Sequence, residues 1–304
     1  MRIPGRVSAA LLVLLAGLVA GCGNSTTPTA AGGRVVVIAA ENFWGSIASQ
    51  LGGSKVTAQS IIVDPDTDPH SYEPRASDAI AMARSQIAIV NGIGYDQWAS
   101  KLIDANPSNG RVVLNVGDLL GLREGQNPHQ WYSPASVQTV IDQIVADYKR
   151  TDSKDAGYFD ARRARFESQG LREYRGLIAQ IRERYAGVPV GYSESIFRPM
   201  GEALGLKLLT PYSFAKAISE GTDVSAADTQ TVREQAQRGR IRVWIYNSQN
   251  ATPDVQRINQ LARAARVPID TITETLSPAS DTFEQWQVAQ LRNLQKALHE
   301  ATGR

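Results

Sequence analysis

The fold class follows from one stretch near the N-terminus, Val35-Val36-Val37-Ile38-Ala39-Ala40. Six apolar residues without alternation are typical of a parallel β-strand that is buried on both faces. A helical stretch over residues 43–51 follows and ends at Gly52-Gly53. The sequence therefore predicts an α/β fold in which helices cover both faces of a parallel sheet.

Strand and helix signals continue to alternate along the chain. In the first half, strands are predicted at 35–40, 56–63, 86–91 and 111–116, with helices at 77–84, 96–105 and 134–149. In the second half, strands are predicted at 188–192, 207–211, 241–246 and 267–273, with helices at 195–204, 226–238, 253–265 and 282–301. Each half thus contains four β–α units, which predicts two similar (β/α)4 lobes.

A long segment without proline separates the two halves. Residues 155–185 have apolar side chains that recur at three- and four-residue steps among Arg, Glu and Gln. One helix of this length would extend roughly 45 Å, although Gly170 and Gly176 favour a kink. We therefore predict an N-terminal lobe at 34–150, a rigid linking helix at 151–186 and a C-terminal lobe at 187–304.

The N-terminus has the features of an export signal. Arg2 and Arg6 form a positive region, and residues 9–20 form an apolar run that is too short for an ordinary membrane span. The run ends in Val19-Ala20-Gly21-Cys22, which resembles the lipobox of bacterial lipoproteins. This resemblance implies a signal peptide at 1–21, lipidation of Cys22 and a location on the outer face of the bacterial cytoplasmic membrane. The alternative is a plain secretory signal with a free thiol.

The remaining composition excludes several classes of protein. Residues 22–33 are rich in Ser, Thr, Ala, Pro and Gly and predict a flexible tether. Because Cys22 is the only cysteine, a disulfide within the chain is excluded and the fold depends on its core. Loss of Arg2 and Arg6 with the signal peptide removes the formal net charge of +2. This balance gives no basic surface for nucleic acid, and we expect a monomer.

The positions of the histidines predict a metal site. Two of the three histidines lie in short proline-containing turns, Asp68-Pro69-His70-Ser71-Tyr72-Glu73-Pro74 and Asn127-Pro128-His129-Gln130-Trp131, while His299 lies on a polar C-terminal helix and is expected to be solvated. Histidine is the commonest metal ligand, and a preceding proline restricts its approach direction. Two such turns suggest that both imidazoles are directed toward one point.

Two glutamates occupy comparable positions in the second half. His70 follows the second predicted strand, His129 the fourth, Glu194 the fifth and Glu274 the eighth. Ligands of parallel sheets bind beyond the carboxyl ends of the strands, and two imidazoles with two carboxylates would neutralise a divalent cation. Each residue also has an ordinary explanation: a hydrogen-bonded surface histidine, a helix-capping Glu194 or a solvated Glu274.

Several motifs resemble the cluster A-I family of solute-binding proteins, which deliver zinc or manganese to ABC transporters. The resemblance covers nearly the whole mature chain. The matching segments are the two histidine turns, Ala40-Glu41-Asn42-Phe43-Trp44-Gly45, Gln50-Leu51-Gly52-Gly53, Ser77-Asp78, Asn91-Gly92-Ile93-Gly94-Tyr95-Asp96 with Trp98, Asp281-Thr282-Phe283 and Asn293-Leu294. The resemblance implies a two-lobed protein that closes modestly on one metal ion and passes it to a membrane permease.

The resemblance also implies a ligand set. His70 and His129 match the first two ligands, and Glu194 matches the third, which is glutamate in manganese-type members and histidine in many zinc-type members. Glu274 stands where the family normally has aspartate, so Asp270 and Asp281 are alternatives for the fourth ligand.

Other positions bear on the family subtype and on the surroundings of the ligands. Ser133 replaces a common acid, and residues 120–126 lack the His-rich acidic loop of many zinc-type members. Glu41, Asn42 and Trp131 are candidates for orienting the imidazoles.

The predicted ligand set favours manganese over zinc, with ferrous iron as a third option. Two imidazoles and two carboxylates suit five- or six-coordinate manganese better than tetrahedral zinc, although zinc generally binds such donors more tightly. A saturated set leaves no position for a reactive water, so we expect a binding protein and not an enzyme. The alternatives are a metallohydrolase and a protein of the same architecture that binds a metal chelate or another small molecule.

Overall fold

The computed structural model describes residues 33–304. The predicted signal peptide at 1–21, nearly all of the tether at 22–33 and the lipidation site Cys22 lie outside the described residues and stay predictions. Within the described range, no helix has both the length and the apolar character needed to cross a membrane.

The N-terminal lobe is built on a four-stranded sheet of parallel strands. The strands are β1 (Val35–Glu41), β2 (Val56–Ile62), β3 (Ile87–Val90) and β4 (Val112–Asn115), in the order β2-β1-β3-β4. The helices are α1 (Asn42–Gly52), α2 (Ala76–Arg84), α3 (Gln97–Ala105), α4 (Val116–Leu120) and α5 (Pro134–Thr151). Val37 packs into the core on one face of β1 and Ile38 into a cluster on the other, which accounts for the unbroken apolar run.

The segment between the lobes is helical but interrupted. It consists of α6 (Ala156–Arg165), a π-helical turn at Phe166–Gly170, and α7 (Arg172–Tyr185). The Leu171 N–H donates to the Phe166 carbonyl at 2.8 Å, five residues back. A Cβ at Gly170 would lie 2.9 Å from the Phe166 ring, so glycine permits this tight approach. A π-helical turn therefore interrupts the segment at Gly170, one of the two glycines at which the sequence favoured a kink.

The C-terminal lobe repeats the same topology. Its strands are β5 (Pro189–Tyr192), β6 (Lys207–Leu208), β7 (Val243–Asn247) and β8 (Ile269–Ile272), in the parallel order β6-β5-β7-β8. Its helices are α8 (Arg198–Ala203), α9 (Tyr212–Ser219), α10 (Ala226–Gln237), α11 (Pro253–Ala264) and α12 (Phe283–Thr302). The predicted two-lobed α/β architecture is confirmed, whereas the lobe boundaries stay predictions.

Two local features of the C-terminal lobe differ from the prediction. The edge strand β6 ends at Leu208, three residues earlier than predicted. The Thr210 hydroxyl accepts the Tyr192 N–H at 2.9 Å, so a side chain takes the place of the next ladder carbonyl. Helix α9 was not predicted, and it contributes Lys216 and Ser219 to the wall of the cleft between the lobes.

One apolar core extends through both lobes. It contains Val37 of β1, Ile181 of α7 and Val190 of β5, together with the buried face of α12. Helix α12 packs against α7 and also against α1 of the other lobe. The two sheets are therefore held by shared packing as well as by the connecting chain.

Candidate metal centre

Loops at the carboxyl ends of both sheets meet at a cleft of about 460 Å³. The loop after β2 carries His70, the segment after β4 and α4 carries His129, and the loop after β8 carries Glu274; all three residues line the cleft. Glu194 follows β5 and is buried without lining the cleft. The topology thus brings the predicted ligands to facing edges, as expected for parallel sheets.

His129 is buried and held in one orientation. Its backbone N–H and ring Nδ1 lie 3.1 and 2.8 Å from Oδ1 of Asn127, and the Trp131 ring contacts the imidazole edgewise at 5.2 Å between centroids. Donation from Nδ1–H to Asn127 leaves the Nε2 lone pair directed away from this contact. Burial lowers the pKa of His129, which favours the neutral imidazole that a metal ion requires.

His70 is more accessible, with a side chain that is 31% exposed. The Asp68 carboxylate accepts its backbone N–H at 2.9 Å, and Trp98 Nε1 donates to the Pro69 carbonyl at 3.0 Å. The imidazole packs against the Tyr95 ring, with 4.6 Å between the ring centroids. The loop backbone and Tyr95 therefore direct the side chain into the cleft.

Glu274 lies between the two imidazoles. Its Oε1 is 3.7 Å from Nε2 of His70 and 3.5 Å from Nε2 of His129. One potential ligand atom from each residue lies within 4.8 Å of the other two. Burial acts to raise the pKa of Glu274, but the imidazoles and the Tyr95 hydroxyl outweigh it and lower the pKa. Donor atoms at these separations can surround an ion with bonds of about 2.0–2.2 Å.

Glu194 is near this group but outside it. The Asn250 side-chain amide donates to its Oε1, while Oε2 has no hydrogen-bond partner among residues 33–304. Burial and then the charge of Glu274 raise the pKa of Glu194 to about 8. The predicted third ligand is thus a buried carboxyl group that accepts from an amide, and its raised pKa favours the protonated form at neutral pH. Its role as a ligand stays a prediction.

The three residues proposed to orient the imidazoles have different surroundings. Trp131 stacks on Phe43 at 3.9 Å between centroids and contacts His129. Asn42 instead accepts the Leu276 N–H at 3.2 Å, two residues beyond Glu274. Glu41 is fully buried, and neither carboxylate oxygen has a hydrogen-bond partner within the described chain.

Sequence reasoning did not assign a role to Tyr95. Its ring lies edge-on to both imidazoles, with ring centroids 4.6 Å from His70 and 6.0 Å from His129. Burial and then the Glu274 charge raise its pKa well above the ordinary value, so the phenol keeps its proton. The quoted segment Asn91-Gly92-Ile93-Gly94-Tyr95-Asp96 contained this residue, but nothing in the pattern placed its ring beside the histidines.

A polar run after β7 was also missed. Asn247 Nδ2 lies 3.5 Å from Oε2 of Glu274, and Gln249 Oε1 accepts the Glu274 N–H at 2.6 Å. Asn250 holds Glu194, as described above. The usable signal was the sequence Asn247-Ser248-Gln249-Asn250 directly after an apolar strand, because strand ends of this sheet carry the other polar groups of the site.

The remaining candidates lie outside the three-residue group. Asp270 is in β8, and burial raises its pKa to about 7; its Oδ2 has no partner among the described residues. Asp281 is half-buried just before α12, and His299 is exposed on that helix, as expected. Ser133 caps α5 by accepting the Ser136 N–H at 3.2 Å. The serine that replaces the common acid of the family therefore has a structural role.

A family model described as "Zinc-uptake complex component A periplasmic" matches residues 37–297. The manganese-binding lipoprotein MntA of Halalkalibacterium halodurans is 27% identical over 205 residues, covering 64% of this chain and 66% of the relative. The metal ABC transporter substrate-binding lipoprotein SloC of Streptococcus mutans is 26% identical over 167 residues, covering 51% and 54%. The matched stretches thus span about half to two thirds of the length of these relatives.

The fold is also found among solved structures. A manganese-bound periplasmic metal-binding protein from Candidatus Liberibacter asiaticus superposes with a TM-score of 0.72 at 19% identity. The superposition covers 87% of this chain and all of that one. At this identity the similarity establishes the two-lobed fold.

Proposed function

The chain belongs to the family of periplasmic zinc-uptake complex component A proteins, and from that premise we propose that it captures one divalent transition-metal ion and delivers it to an ABC transporter permease. The observation that carries the proposal is the convergence of His70, His129 and Glu274, with donor atoms within 4.8 Å of one another. Two of these residues come from one lobe and the third from the other. The names of MntA and SloC support metal capture for transport.

Glu194 is proposed as a further ligand, in the position that matches the third ligand of the family. Its buried carboxyl group stands close enough to Glu274 for the two charges to oppose each other. A divalent cation would remove that repulsion by neutralising both carboxylates. We expect Glu194 to give up its proton and the contact with Asn250 when the ion binds. The full set would then be two imidazoles and two carboxylates.

Manganese is the favoured cargo, followed by zinc and ferrous iron. Each carboxylate can supply one or two oxygens, so the set can provide five or six donor atoms. Such coordination suits manganese better than zinc, which prefers four. Zinc should nevertheless bind more tightly when both metals are present, because affinities follow the Irving–Williams order.

Binding is favoured over catalysis. Four protein ligands from facing lobes would leave no open position for a reactive water. A chelate or another small molecule would instead be held without direct protein–metal bonds. The close approach of the two imidazole Nε2 atoms to one carboxylate oxygen instead supports direct coordination.

The proposed location is the outer face of the cytoplasmic membrane, through a lipid on Cys22. SloC and MntA are named as lipoproteins, and the small-residue segment before Cys22 supports the same processing. The protein would then act as a monomer that is tethered near its permease.

Elemental analysis of the purified protein tests the proposal. We expect about one divalent ion per chain after dialysis against mixed manganese, zinc and iron, and less than a tenth of that amount in His70→Ala. His299→Ala is the matched control, because this histidine is exposed on α12 and does not line the cleft. Equal metal content in wild type and His70→Ala would contradict the proposed site.

A further inference from the structure

We propose that Asn127 and Gln249 are positioning residues that couple the orientation of the metal ligands to the contact between the lobes. This inference rests on the proposed function. Each residue uses its amide oxygen to hold a ligand-bearing segment of its own lobe. Each uses its amide nitrogen to bind a backbone carbonyl of the opposite lobe.

Gln249 lies in the 3-10 turn Ser248–Asn250 that follows β7. Its Oε1 accepts the backbone N–H groups of Glu274 at 2.6 Å and Thr275 at 3.0 Å. Its Nε2 donates to the Pro65 carbonyl of the other lobe at 2.6 Å and to Thr275 Oγ1 at 3.1 Å. The amide therefore has no spare hydrogen-bonding capacity, which fixes its direction.

Asn127 has the corresponding arrangement in the N-terminal lobe. Its Oδ1 accepts from the backbone and ring nitrogens of His129 at 3.1 and 2.8 Å. Its Nδ2 donates to the Ser195 carbonyl at 2.8 Å, next to Glu194 in the opposite lobe. One amide thus sets the tautomer of a proposed ligand and contacts the segment that carries another.

The two amides make lobe contact and ligand orientation interdependent. Pro65 belongs to the loop that leads from β2 to His70, so Gln249 connects the Glu274 loop with the His70 loop. Asn127 similarly connects His129 with the segment of Glu194. Displacement of the facing loops would break both cross-lobe bonds, and the freed amides would then be able to rotate away from the ligand-bearing segments. We expect this coupling to slow release of the bound ion.

Two near-isosteric substitutions test the role of the amide nitrogen separately from that of the amide oxygen. In Gln249→Glu and Asn127→Asp, the oxygen that accepts from the ligand segment is kept, whereas the donor to Pro65 or Ser195 is lost. The added negative charge should by itself retain a cation more strongly. Faster release would therefore run against the charge effect and would identify the lost cross-lobe bond as its cause.

The experiment measures release of zinc into an excess of a chelating dye by stopped flow. We expect each variant to keep about one zinc per chain and to release it at least about fivefold faster, as loss of a hydrogen bond of about 1 kcal/mol predicts. Gln256→Glu is the matched control, because Gln256 bonds to Ala251 within its own lobe; its rate should match wild type. The apo melting temperatures check that the variants fold.

Two outcomes would overturn the inference. Wild-type release rates in Gln249→Glu and Asn127→Asp would mean that the amides act only within their own lobes. An equal acceleration in Gln256→Glu, whose amide bonds within its own lobe, would show that the effect does not come from the lost cross-lobe bonds. If wild-type protein itself fails to bind zinc or manganese, the proposed function fails instead, and that result is distinguishable because no release can be measured.

Discussion

The Nε2 atom of His129 lies 3.5 Å from Oε1 of Glu274, although the two residues belong to opposite lobes and are separated by about half of the sequence. A site made from both lobes can form only while the lobes are correctly placed. A bound ion would in turn stabilise that placement, because it binds the folded protein in preference to the unfolded chain.

Replacement of Glu274 by glutamine should reduce metal affinity by more than about a hundredfold, since loss of a ligand costs more than the roughly 10–100-fold typical of supporting groups. Glutamine keeps the size of the side chain, so the fold should persist. Isothermal titration calorimetry with manganese and with zinc measures the effect. Glu284→Gln on α12 is the control, and equal affinities of the Glu274 variant and wild type would exclude Glu274 as a ligand.

Glu194→Gln should weaken metal binding and stabilise the metal-free protein at pH 8.5. The pKa of Glu194 is raised to about 8, above its value of about 4.3 in unfolded chains. The folded state therefore holds a proton that the unfolded state lacks, and stability falls as pH rises through this window. We expect a melting temperature several degrees above wild type at pH 8.5 and a smaller difference at pH 5. A difference that is independent of pH would contradict this account.

Metal binding near pH 7 should release about one proton. The pKa of His129 is lowered, so this imidazole is already neutral, whereas Glu194 with a pKa of about 8 is protonated. Affinity should consequently rise about tenfold per pH unit between pH 6 and pH 7.5. Calorimetry in buffers with different ionisation enthalpies counts the proton, and the count should fall toward zero in Glu194→Gln.

Asp270→Asn should leave metal affinity within about twofold of wild type, because Asp270 lies outside the group formed by the two histidines and Glu274. The substitution should stabilise the apo protein at pH 8, since burial raises the Asp270 pKa to about 7 and the folded state disfavours its ionised form. Titration and thermal melts measure both effects. Loss of metal binding would instead assign the fourth ligand to Asp270, and the same test on Asp281→Ala covers the other alternative.

The strands and most helices were predictable because their apolar periodicity is local. The run at 35–40 is buried on both faces of β1, and the histidines follow strand ends where parallel sheets collect polar groups. Helix α9 was missed because it is short, with Phe214, Ala215 and Ile218 as its buried residues. The π-turn at Phe166–Gly170 was foreseen only as a kink, since its hydrogen bonds depend on local geometry.

The supporting amides could not be predicted from local sequence. Gln249 contacts Pro65 across 184 positions of sequence, and Asn127 contacts Ser195 across 68. Hydrogen bonds of this kind leave no periodic pattern in the sequence. An Asn or Gln in a loop cannot be distinguished by its local sequence from one that has no distant partner. The positions of the proposed ligands could be selected from the sequence for the opposite reason: each lies directly after a recognisable strand or in a proline-histidine turn. Their role as ligands stays a prediction.

The apolar interior that continues from β1 through α7 to β5 limits how the protein can bend. Tilting one sheet away from the other would transfer part of that interior into water, at about 25 cal/mol per Å². Exposure of on the order of 300 Å² would cost about 8 kcal/mol, which is comparable to the total stability of many domains. Entry and exit of an ion should therefore involve displacement of the loops at the mouth while both sheets keep their relative position. A permease that removes the cargo would have to act on those loops.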